Sequence, residues 1–241
     1  MAPYSNRIKD DKFVFDGKSF VVDSNMIHGG ARNNEFFTLQ YTEQRVVLSY
    51  EHFPTKKGQY PFEYRLILVY ELESDGFSVS LTLENISTHK IPIGLGFHPY
   101  LKKSLCPTGS ETPLLQFSSQ ETYITDALIP VGYPIVTTNA NDFSLGKELN
   151  FNIDNCFGKI DGDISVCWPK SKLCMKMSNC SNLDKLILFN ELDSDCFAVE
   201  PSSSSVDAFN RYSQGYSDSG VAILSPFESG VINTRFTFSP M

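Results

Sequence analysis

Apolar and polar residues alternate over short stretches of the chain, and turn-forming residues stand between these stretches. The clearest stretch is 77–83, where an apolar residue occupies every second position, so one face of a strand is predicted to be buried and the other solvated. Asp-Gly pairs at 16–17 and 75–76 separate apolar runs and favour tight hairpin turns, because both residue types accept positive φ. The pattern therefore predicts antiparallel hairpins.

Many short runs of this kind at close spacing predict an all-β protein that is either a β-sandwich or a barrel. No segment has convincing helical periodicity over three turns. The polar stretch 201–220 is expected to be a loop with at most one helical turn, near residues 206–210. No linker, repeat or low-complexity segment divides the chain, so a single domain over residues 1–241 is the simplest prediction.

Composition narrows the possible partners and the compartment. The 241 residues carry a net charge of -8, which argues against a nucleic-acid partner because phosphate-binding proteins usually present a basic face. No apolar run has the length of a membrane span and no signal peptide is visible, so we expect a cytoplasmic protein that binds no membrane. The six cysteines lack zinc-ligand spacing, and we expect reduced thiols.

The segment IPIGLGFHPYL, residues 91–101, places an imidazole in an otherwise apolar strand. His98 precedes Pro99; a residue before proline is held in extended geometry, and proline itself belongs at strand ends. We therefore expect His98 to lie where the strand leaves the sheet, near the mouth of a cleft. An imidazole titrates near neutral pH and suits acid–base catalysis, although a buried histidine with a structural hydrogen bond explains the residue equally well.

Two carboxylates stand in or after apolar runs. Glu200 follows the run CFAV and precedes Pro201, and Asp154 lies in IDNCF with a weaker signal. A carboxylate buried at a strand end is unfavourable unless it is paired or functional, and burial would raise its pKa towards the range of a general base. The alternative for both residues is a solvated position at the end of a strand.

The remaining candidates are weaker when each is taken by itself. His28 precedes two glycines that permit close backbone approach, and a glycine turn with an incidental histidine is the simpler explanation from that pattern alone. Arg7, in PYSNRI, is equally compatible with a surface position. His52 and His89 stand beside charged residues and are predicted to lie at the surface.

Taken together, five segments resemble the aldose 1-epimerase (galactose mutarotase) family. In chain order they are PYSNRI (3–8), IHGG (27–30), ENISTHKIPIGLGFHPYL (84–101), IDNCF (153–157) and CFAVEPSSSSVDAFN (196–210). They are similar to the family's N-R-I, H-G, G-x-H-P-Y-F, D-x-x-F and V-E-P segments, in the same order and over nearly the whole chain. Any one segment is weak evidence, whereas five in order are specific to the superfamily.

The resemblance implies a galactose mutarotase-like supersandwich with a sugar cleft on one concave face. It implies that Glu200 is the general base and His98 the general acid, with no metal or organic cofactor. It also implies that Arg7, His28 and Asp154 bind the sugar. The expected activity is that of an isomerase, an aldose 1-epimerase that interconverts the α and β anomers of a free aldohexose, a small-molecule substrate.

Two other functions stay open. HGGARNNEF, residues 28–36, is similar to the H-G-x-A-R segment of the hexose-6-phosphate 1-epimerase branch, in which Arg32 would hold the phosphate. The other is a non-catalytic carbohydrate-binding relative, against which the retention of both His98 and Glu200 argues.

The position of the N-R-I segment raises an expectation about the edge of the sandwich. The chain begins almost at this segment, whereas family members usually carry further strands before it. We therefore expect either a sandwich trimmed at its N-terminus or a start that lies upstream. A homodimer would cover an edge that missing strands leave exposed.

Overall fold

The computed structural model describes residues 1–107, 109–139 and 141–241, and for residues 179–181 it describes the backbone only. Of the chain, 50% is strand and 6% is helix, which confirms the all-β prediction. The side chain of Cys180 lies outside the described residues.

Within these ranges the chain forms its strands in the order β1 (Lys12–Phe15), β2 (Lys18–Val21), β3 (Phe37–Tyr41), β4 (Arg45–His52), β5 (Tyr64–Glu73), β6 (Gly76–Asn85), β7 (Ile91–Ile93), β8 (Tyr100–Lys102), β9 (Leu114–Thr122), β10 (Thr125–Asp126), β11 (Ile129–Pro130), β12 (Ile135–Val136), β13 (Lys147–Glu148), β14 (Ile153–Trp168), β15 (Leu173–Ser181), β16 (Lys185–Asn190), β17 (Cys196–Ser202), β18 (Ala222–Leu224) and β19 (Ser229–Pro240). The helical segments are 3₁₀ turns at Lys9–Asp11, Ser24–Met26 and Ala31–Asn33, and the α-helix α1 (Ala208–Ser213). None of the helices described has the length and apolar character that crossing a membrane requires.

One large antiparallel sheet carries most of the strands. Its order is β3-β4-β5-β6-β19-β15-β14-β16-β17-β8, and β9 joins it by pairing with β14. In the described part of the chain, the pairs β1–β2, β10–β11 and β7–β18 lie outside that sheet. The last strand, β19, pairs with β6 on one side and with β15 on the other. It therefore joins the earlier and the later strands of the chain in one continuous sheet.

Alternation along the strands sorts side chains between the core and solvent. In β6 the residues at 79, 81 and 83 are buried and those between them are half-buried, as the sequence pattern predicts. Burial of each such aliphatic side chain contributes roughly 1.5–3 kcal/mol. Two apolar clusters result, which we call the first cluster, around Tyr60 and Tyr64, and the second cluster, around Phe157 and Phe197.

Both predicted hairpins are present. Asp16 and Gly17 connect β1 to β2 with φ of 48° and 70°, the positive values that a two-residue hairpin turn requires. Residues 74–75 connect β5 to β6, which pair along their full lengths.

Strand β14 is longer than the sequence pattern predicts. The segment ISVCWP, residues 164–169, is by its sequence pattern one of the short runs with turn residues on either side. In the structure the strand continues for 16 residues. Gly162 has φ of 75°, and the register with β9 shifts between Asp161 and Ser165, so the strand bends at a β-bulge instead of ending.

The helical turn predicted near 206–210 lies slightly later in the chain. The helix α1 spans Ala208–Ser213, and it follows Asp207, whose φ of 55° is in the left-handed region. Asp207 is buried, and its Oδ1 accepts hydrogen bonds from Lys9 N at 2.8 Å and Asn210 Nδ2 at 2.7 Å. These partners join the helix to the N-terminal segment, which the local sequence pattern does not reveal.

The prediction of reduced thiols is wrong for two cysteines. Cys167 and Cys174 form a disulfide, because β14 and β15 pair in a register that sets the two residues opposite each other, with Cα atoms 4.1 Å apart. No short cysteine motif marks this pair in the sequence, since only the register of the hairpin brings the residues together. Cys156 and Cys196 carry free thiols.

The surface prediction is correct for His89, which is exposed, and wrong for His52, which is buried. His52 Nε2 donates a hydrogen bond to Tyr60 O at 2.8 Å, and its ring stacks on Tyr64. Glu51 and His52 are consecutive in the strand, so their side chains point to opposite faces. The carboxylate points to solvent and the imidazole into the first cluster. A charged neighbour in a strand therefore does not indicate exposure.

Strand β3 lies at the edge of the large sheet. Phe37, Leu39 and Tyr41 are all exposed along it. An exposed edge with apolar side chains favours pairing with another chain, and the homodimer stays a prediction.

Candidate active site

Glu200 is a buried carboxylate on β17. Phe197 and Val199 pack into the second cluster, so Glu200, which alternates with them, points to the opposite face of the sheet. Only 3% of the residue is exposed, and its Oε2 has no hydrogen-bond partner among the described residues. The solvated alternative considered for this carboxylate is therefore wrong.

His98 lies between β7 and β8, where the chain leaves one pair of strands for another. Phe97 N donates to Pro201 O at 3.0 Å and Val199 N donates to Pro99 O at 3.4 Å, so the segment is fixed along β17. These bonds place His98 Nε2 3.2 Å from Glu200 Oε1. Residues 91–101 do not form one continuous strand: His98 lies in the connection, five residues after β7 ends and two before β8 begins.

His28 is the third member of the cluster. It has φ of 67°, it is 7% exposed, and its ring stands edge-on to His98 with centroids 4.8 Å apart. Its Nδ1 lies 2.9 Å from Ser5 O; a carbonyl only accepts, so Nδ1 carries the proton and Nε2 keeps a lone pair. Gly29 is required beside it, because a Cβ there would lie 2.0 Å from Ala2 O.

The protonation states of the cluster follow from its burial. Burial raises the pKa of Glu200 from 4.5 to about 8, and the charge of Asp154 adds to the increase. Burial lowers the pKa of His98, and it lowers the pKa of His28 from 6.5 to about 4. Near pH 7 these shifts favour a neutral carboxylic acid–imidazole pair over an ion pair. Glu200 and His98 then share one exchangeable proton.

Two arginines and one aspartate surround this pair. Burial raises the pKa of Asp154, and the charge of Arg7 opposes that rise and also lowers the pKa of Glu200. Arg32 adds to the lowering of the pKa of His28 and His98 that burial begins. Arg7 and Arg32 are exposed and Asp154 is half-buried. The fold therefore brings all six residues singled out in the sequence to one place.

Tyr100 is a site residue that sequence reasoning treated only as part of a motif. Its ring stacks on His98 with centroids 4.9 Å apart and an interplanar angle of 26°, and the residue is exposed. Tyr100 lies opposite Ala198 on the neighbouring strand β17. Ala198 and Glu200 are two residues apart in that strand, so Tyr100, Ala198 and Glu200 lie on the same face of the sheet. Its position two residues after His98 is the sequence signal that could have identified Tyr100 as a site residue.

Two cavities are lined in part by residues discussed here. One, of about 520 Å³, is mainly apolar and is lined in part by His98 and Tyr100. The other, of about 400 Å³, has both polar and apolar walls, which include Arg7 and Tyr4. Glu200 lines neither cavity, so they do not by themselves define where a ligand contacts it.

The large antiparallel sheet carries the buried Glu200–His98 pair. Solved structures of other proteins share this fold. A galactose mutarotase-like protein from Clostridium acetobutylicum superposes with a TM-score of 0.84 at 19% identity, over 98% of this chain and 77% of that one. A galactose mutarotase-like protein from Lactobacillus casei superposes with a TM-score of 0.78 at 19% identity, over 98% of this chain and 83% of that one. The fold is galactose mutarotase-like.

The family follows from the sequence as a whole. The family model for aldose 1-epimerase matches residues 1–220, and the chain belongs to the aldose 1-epimerase family.

Curated relatives match this chain at lower coverage. The chain is 26% identical to the uncharacterised protein YihR of Escherichia coli over 221 residues, 87% of this chain and 70% of YihR. It is 27% identical to the uncharacterised protein YphB of the same organism over 110 residues, which is 43% of this chain and 36% of YphB.

Proposed function

We propose that this protein is an aldose 1-epimerase, an isomerase that interconverts the α and β anomers of a free aldohexose. The observation that carries the proposal is the buried Glu200–His98 pair, with Oε1 and Nε2 3.2 Å apart, in which burial raises the pKa of Glu200 to about 8 and lowers the pKa of His98. Mutarotation needs one group that removes a proton and one that supplies it, on either side of a small ligand. The pair provides both.

The chemistry proceeds through the open-chain aldehyde. The reaction starts from the form of the pair in which the shared proton is on His98. Glu200, as general base, takes the proton of the anomeric hydroxyl while His98, as general acid, protonates the ring oxygen, and the bond between C1 and the ring oxygen breaks. The C1–C2 bond rotates and presents the other face of the carbonyl. The ring then closes as His98 takes back the hydroxyl proton and Glu200 returns its proton to the carbonyl oxygen.

The other residues of the site suit the hydroxyl groups of a sugar. His28 offers the Nε2 lone pair as an acceptor because its Nδ1 is bound to Ser5 O. Arg7 offers several donors and Asp154 paired acceptors. Tyr100 holds the His98 ring by stacking. The proposal also includes a cytoplasmic location and the absence of nucleic-acid and membrane partners.

Hexose-6-phosphate 1-epimerase is a second candidate, because Arg32 lies close enough to act on the pKa of both imidazoles and is exposed. In that case Arg32 would bind the phosphate at the edge of the same catalytic pair. A non-catalytic sugar-binding protein would bind the sugar without turnover.

The test follows pure α-D-glucose and α-D-galactose to anomeric equilibrium by polarimetry, and then α-D-glucose 6-phosphate by NMR. Wild type, Glu200→Gln and His98→Asn are compared with buffer, and Glu111→Gln serves as a matched control that replaces a buried carboxylate elsewhere. We expect wild type and Glu111→Gln to accelerate the approach and the other two variants not to. Acceleration of the phosphate ester alone would support the second candidate. No acceleration of any sugar would refute catalysis, and calorimetry would then test for binding.

A further inference from the structure

Three groups with metal-binding chemistry converge in the site. One ligand atom from each of His28, His98 and Glu200 lies within 4.8 Å of the other two. We propose that these residues form a binding site for one divalent transition-metal ion of the Zn²⁺ type, which competes with the sugar. The competition rests on the proposed function, whereas the ion site itself rests on the geometry alone.

The spacing of two of the ligands already matches a metal site. Tetrahedral zinc with bonds of about 2.0–2.1 Å places neighbouring ligand atoms about 3.3 Å apart. His98 Nε2 and Glu200 Oε1 are 3.2 Å apart, so an ion binds between them without a change in their separation. The ligand atom of His28 lies within 4.8 Å of the other two, so binding requires it to approach them by at most about 1.5 Å.

The hydrogen bond of His28 prepares the ring for metal binding. A histidine ligand usually donates its other N–H to a carbonyl or carboxylate, which fixes the tautomer and the ring orientation. His28 Nδ1 makes this bond to Ser5 O at 2.9 Å and leaves Nε2 unprotonated. The neutral imidazole is therefore held in the tautomer that binds a metal.

The buried polar atoms of the cluster lack partners. Among the described residues, Glu200 Oε2 and His98 Nδ1 are both buried and make no hydrogen bond. A buried polar atom without a partner is unfavourable and is often explained by an ion or a water molecule. An ion that contacts both oxygens of Glu200 gives Oε2 a partner.

The donor set selects the kind of ion. Two imidazoles and one carboxylate are typical of zinc sites that leave a fourth position open, whereas calcium and magnesium prefer oxygen ligands. Asp154 adds a negative charge nearby, and its effect on the pKa of Glu200 shows that it acts on the cluster. Arg7 and Arg32 oppose a cation, but both are exposed and therefore screened by solvent.

The experiment is a calorimetric titration of ZnCl₂ and NiCl₂ into protein without a histidine tag. The half-buried Cys106 and Cys196 are replaced by serine, because cysteine side chains also bind these ions. In this background we compare His28→Ala and Glu200→Gln with His89→Ala, which removes an exposed histidine outside the cluster. Circular dichroism checks that each variant is folded.

We expect one ion per chain in the background protein and in His89→Ala. Loss of one of three ligands in either cluster variant should weaken binding by roughly tenfold or more. Galactose at saturating concentration should raise the apparent Kd for the ion, and the ion should slow mutarotation.

The outcomes separate this proposal from the proposed function. Ion binding that both cluster variants weaken, in a protein without mutarotase activity, supports the ion site and refutes the activity. Mutarotase activity together with ion binding that His28→Ala and Glu200→Gln leave unchanged overturns the ion site. The same conclusion follows if His89→Ala weakens binding as much as they do, or if no ion binds.

Discussion

Two buried carboxylates in this molecule have opposite surroundings. Glu111 is 7% exposed and Glu200 is 3% exposed, so both have lost most of their contact with water. Glu111 accepts hydrogen bonds from Leu105 N, Lys170 N, Ser171 N and Ser171 Oγ, at 2.5 to 3.1 Å. Glu200 has one close partner, His98, and an oxygen with none among the described residues.

The difference in partners reverses the direction of the pKa shift. Desolvation raises the pKa of Glu111, but its hydrogen bonds outweigh this effect and the net shift is downward. Burial raises the pKa of Glu200 to about 8. Burial by itself therefore does not indicate a functional carboxylate. A carboxylate whose lone pairs are satisfied holds loops together, and one whose lone pairs are free is available for proton transfer.

The largest expected effect that separates the two residues is on activity. Replacing Glu200 by Gln removes the proton acceptor and should reduce the rate of mutarotation by about 10²–10⁴-fold. Glu111→Gln should stay within about twofold of wild type per folded molecule, because Glu111 contacts no member of the site. Polarimetry with α-D-galactose measures both. Equal losses in the two variants would contradict the distinction.

The next effect is on stability, and it has opposite signs at the two sites. The pKa of Glu200 is raised in the folded state, so its contribution to stability is fully present below about pH 4.5 and is lost as the pH rises towards 8. Glu200→Gln should therefore stabilise the protein by roughly 4 kcal/mol at pH 8 and by little at pH 4.5.

Glu111 should respond in the reverse sense. Its pKa is lowered, so its contribution is present above the pKa of the unfolded chain and is lost on acidification. Glu111→Gln should lower Tm at neutral pH and lower it less as the pH falls. Urea unfolding measures the signs, between pH 4.5 and 8 for Glu200→Gln and from about pH 3 to pH 7 for Glu111→Gln, because the contribution of Glu111 is lost only below its unfolded pKa of 4.5. A Glu200→Gln variant less stable than wild type at pH 8 would show that the carboxylate is satisfied.

A smaller effect is expected from the disulfide near Glu111. Cys167 and Cys174 clamp the hairpin turn that supplies Lys170 N and Ser171 N to this carboxylate. Replacing both cysteines by serine should lower the free energy of unfolding by about 2 kcal/mol and leave mutarotation unchanged. Thermal unfolding with and without reductant checks this, since reductant should lower the Tm of wild type only. An equal effect of reductant on the double variant would mean that other thiols cause it.

The smallest effect is the pH dependence of the rate. The Glu200–His98 pair is competent while it holds one proton, so the rate should fall about tenfold per pH unit above 8, where Glu200 loses the proton. On the acid side it should fall below pH 6.5, because the pKa of His98 is lowered from that value. Buffer-subtracted rates from pH 5 to 9.5 give the profile, and Glu111→Gln should reproduce it. A rate that does not change with pH would show that the shared proton takes no part in the mechanism.

Local sequence patterns predicted much of this fold. The positive φ at Asp16 and Gly17 and the alternation in β6 are decided by residues close in sequence, and both were predicted correctly. The pattern failed at β14, where a bulge continues the strand through two glycines, and at His52, which a charged neighbour placed at the surface. In both cases contacts with distant strands override the local preference.

The sequence likewise predicted some features of the candidate site and not others. Glu200 and His98 were both singled out because each is a polar residue in an apolar run before a proline. Their distance of 3.2 Å was not predictable, because it depends on hydrogen bonds between residues 97–99 and β17. Nor did the sequence distinguish Glu111, whose four donors come from two separate loops.

The sequence by itself determined the strands, the hairpin turns and the family, because periodicity, turn chemistry and ordered motifs are properties of short segments. The tertiary structure decided which buried carboxylate has partners, which cysteines form a disulfide and how far Glu200 lies from His98. These properties depend on the register and approach of segments distant in sequence, and small changes in distance alter desolvation and hydrogen bonding enough to reverse a pKa shift. The alternation of residues therefore places Glu200 on a strand, and the packing around it makes this carboxylate the centre of the site.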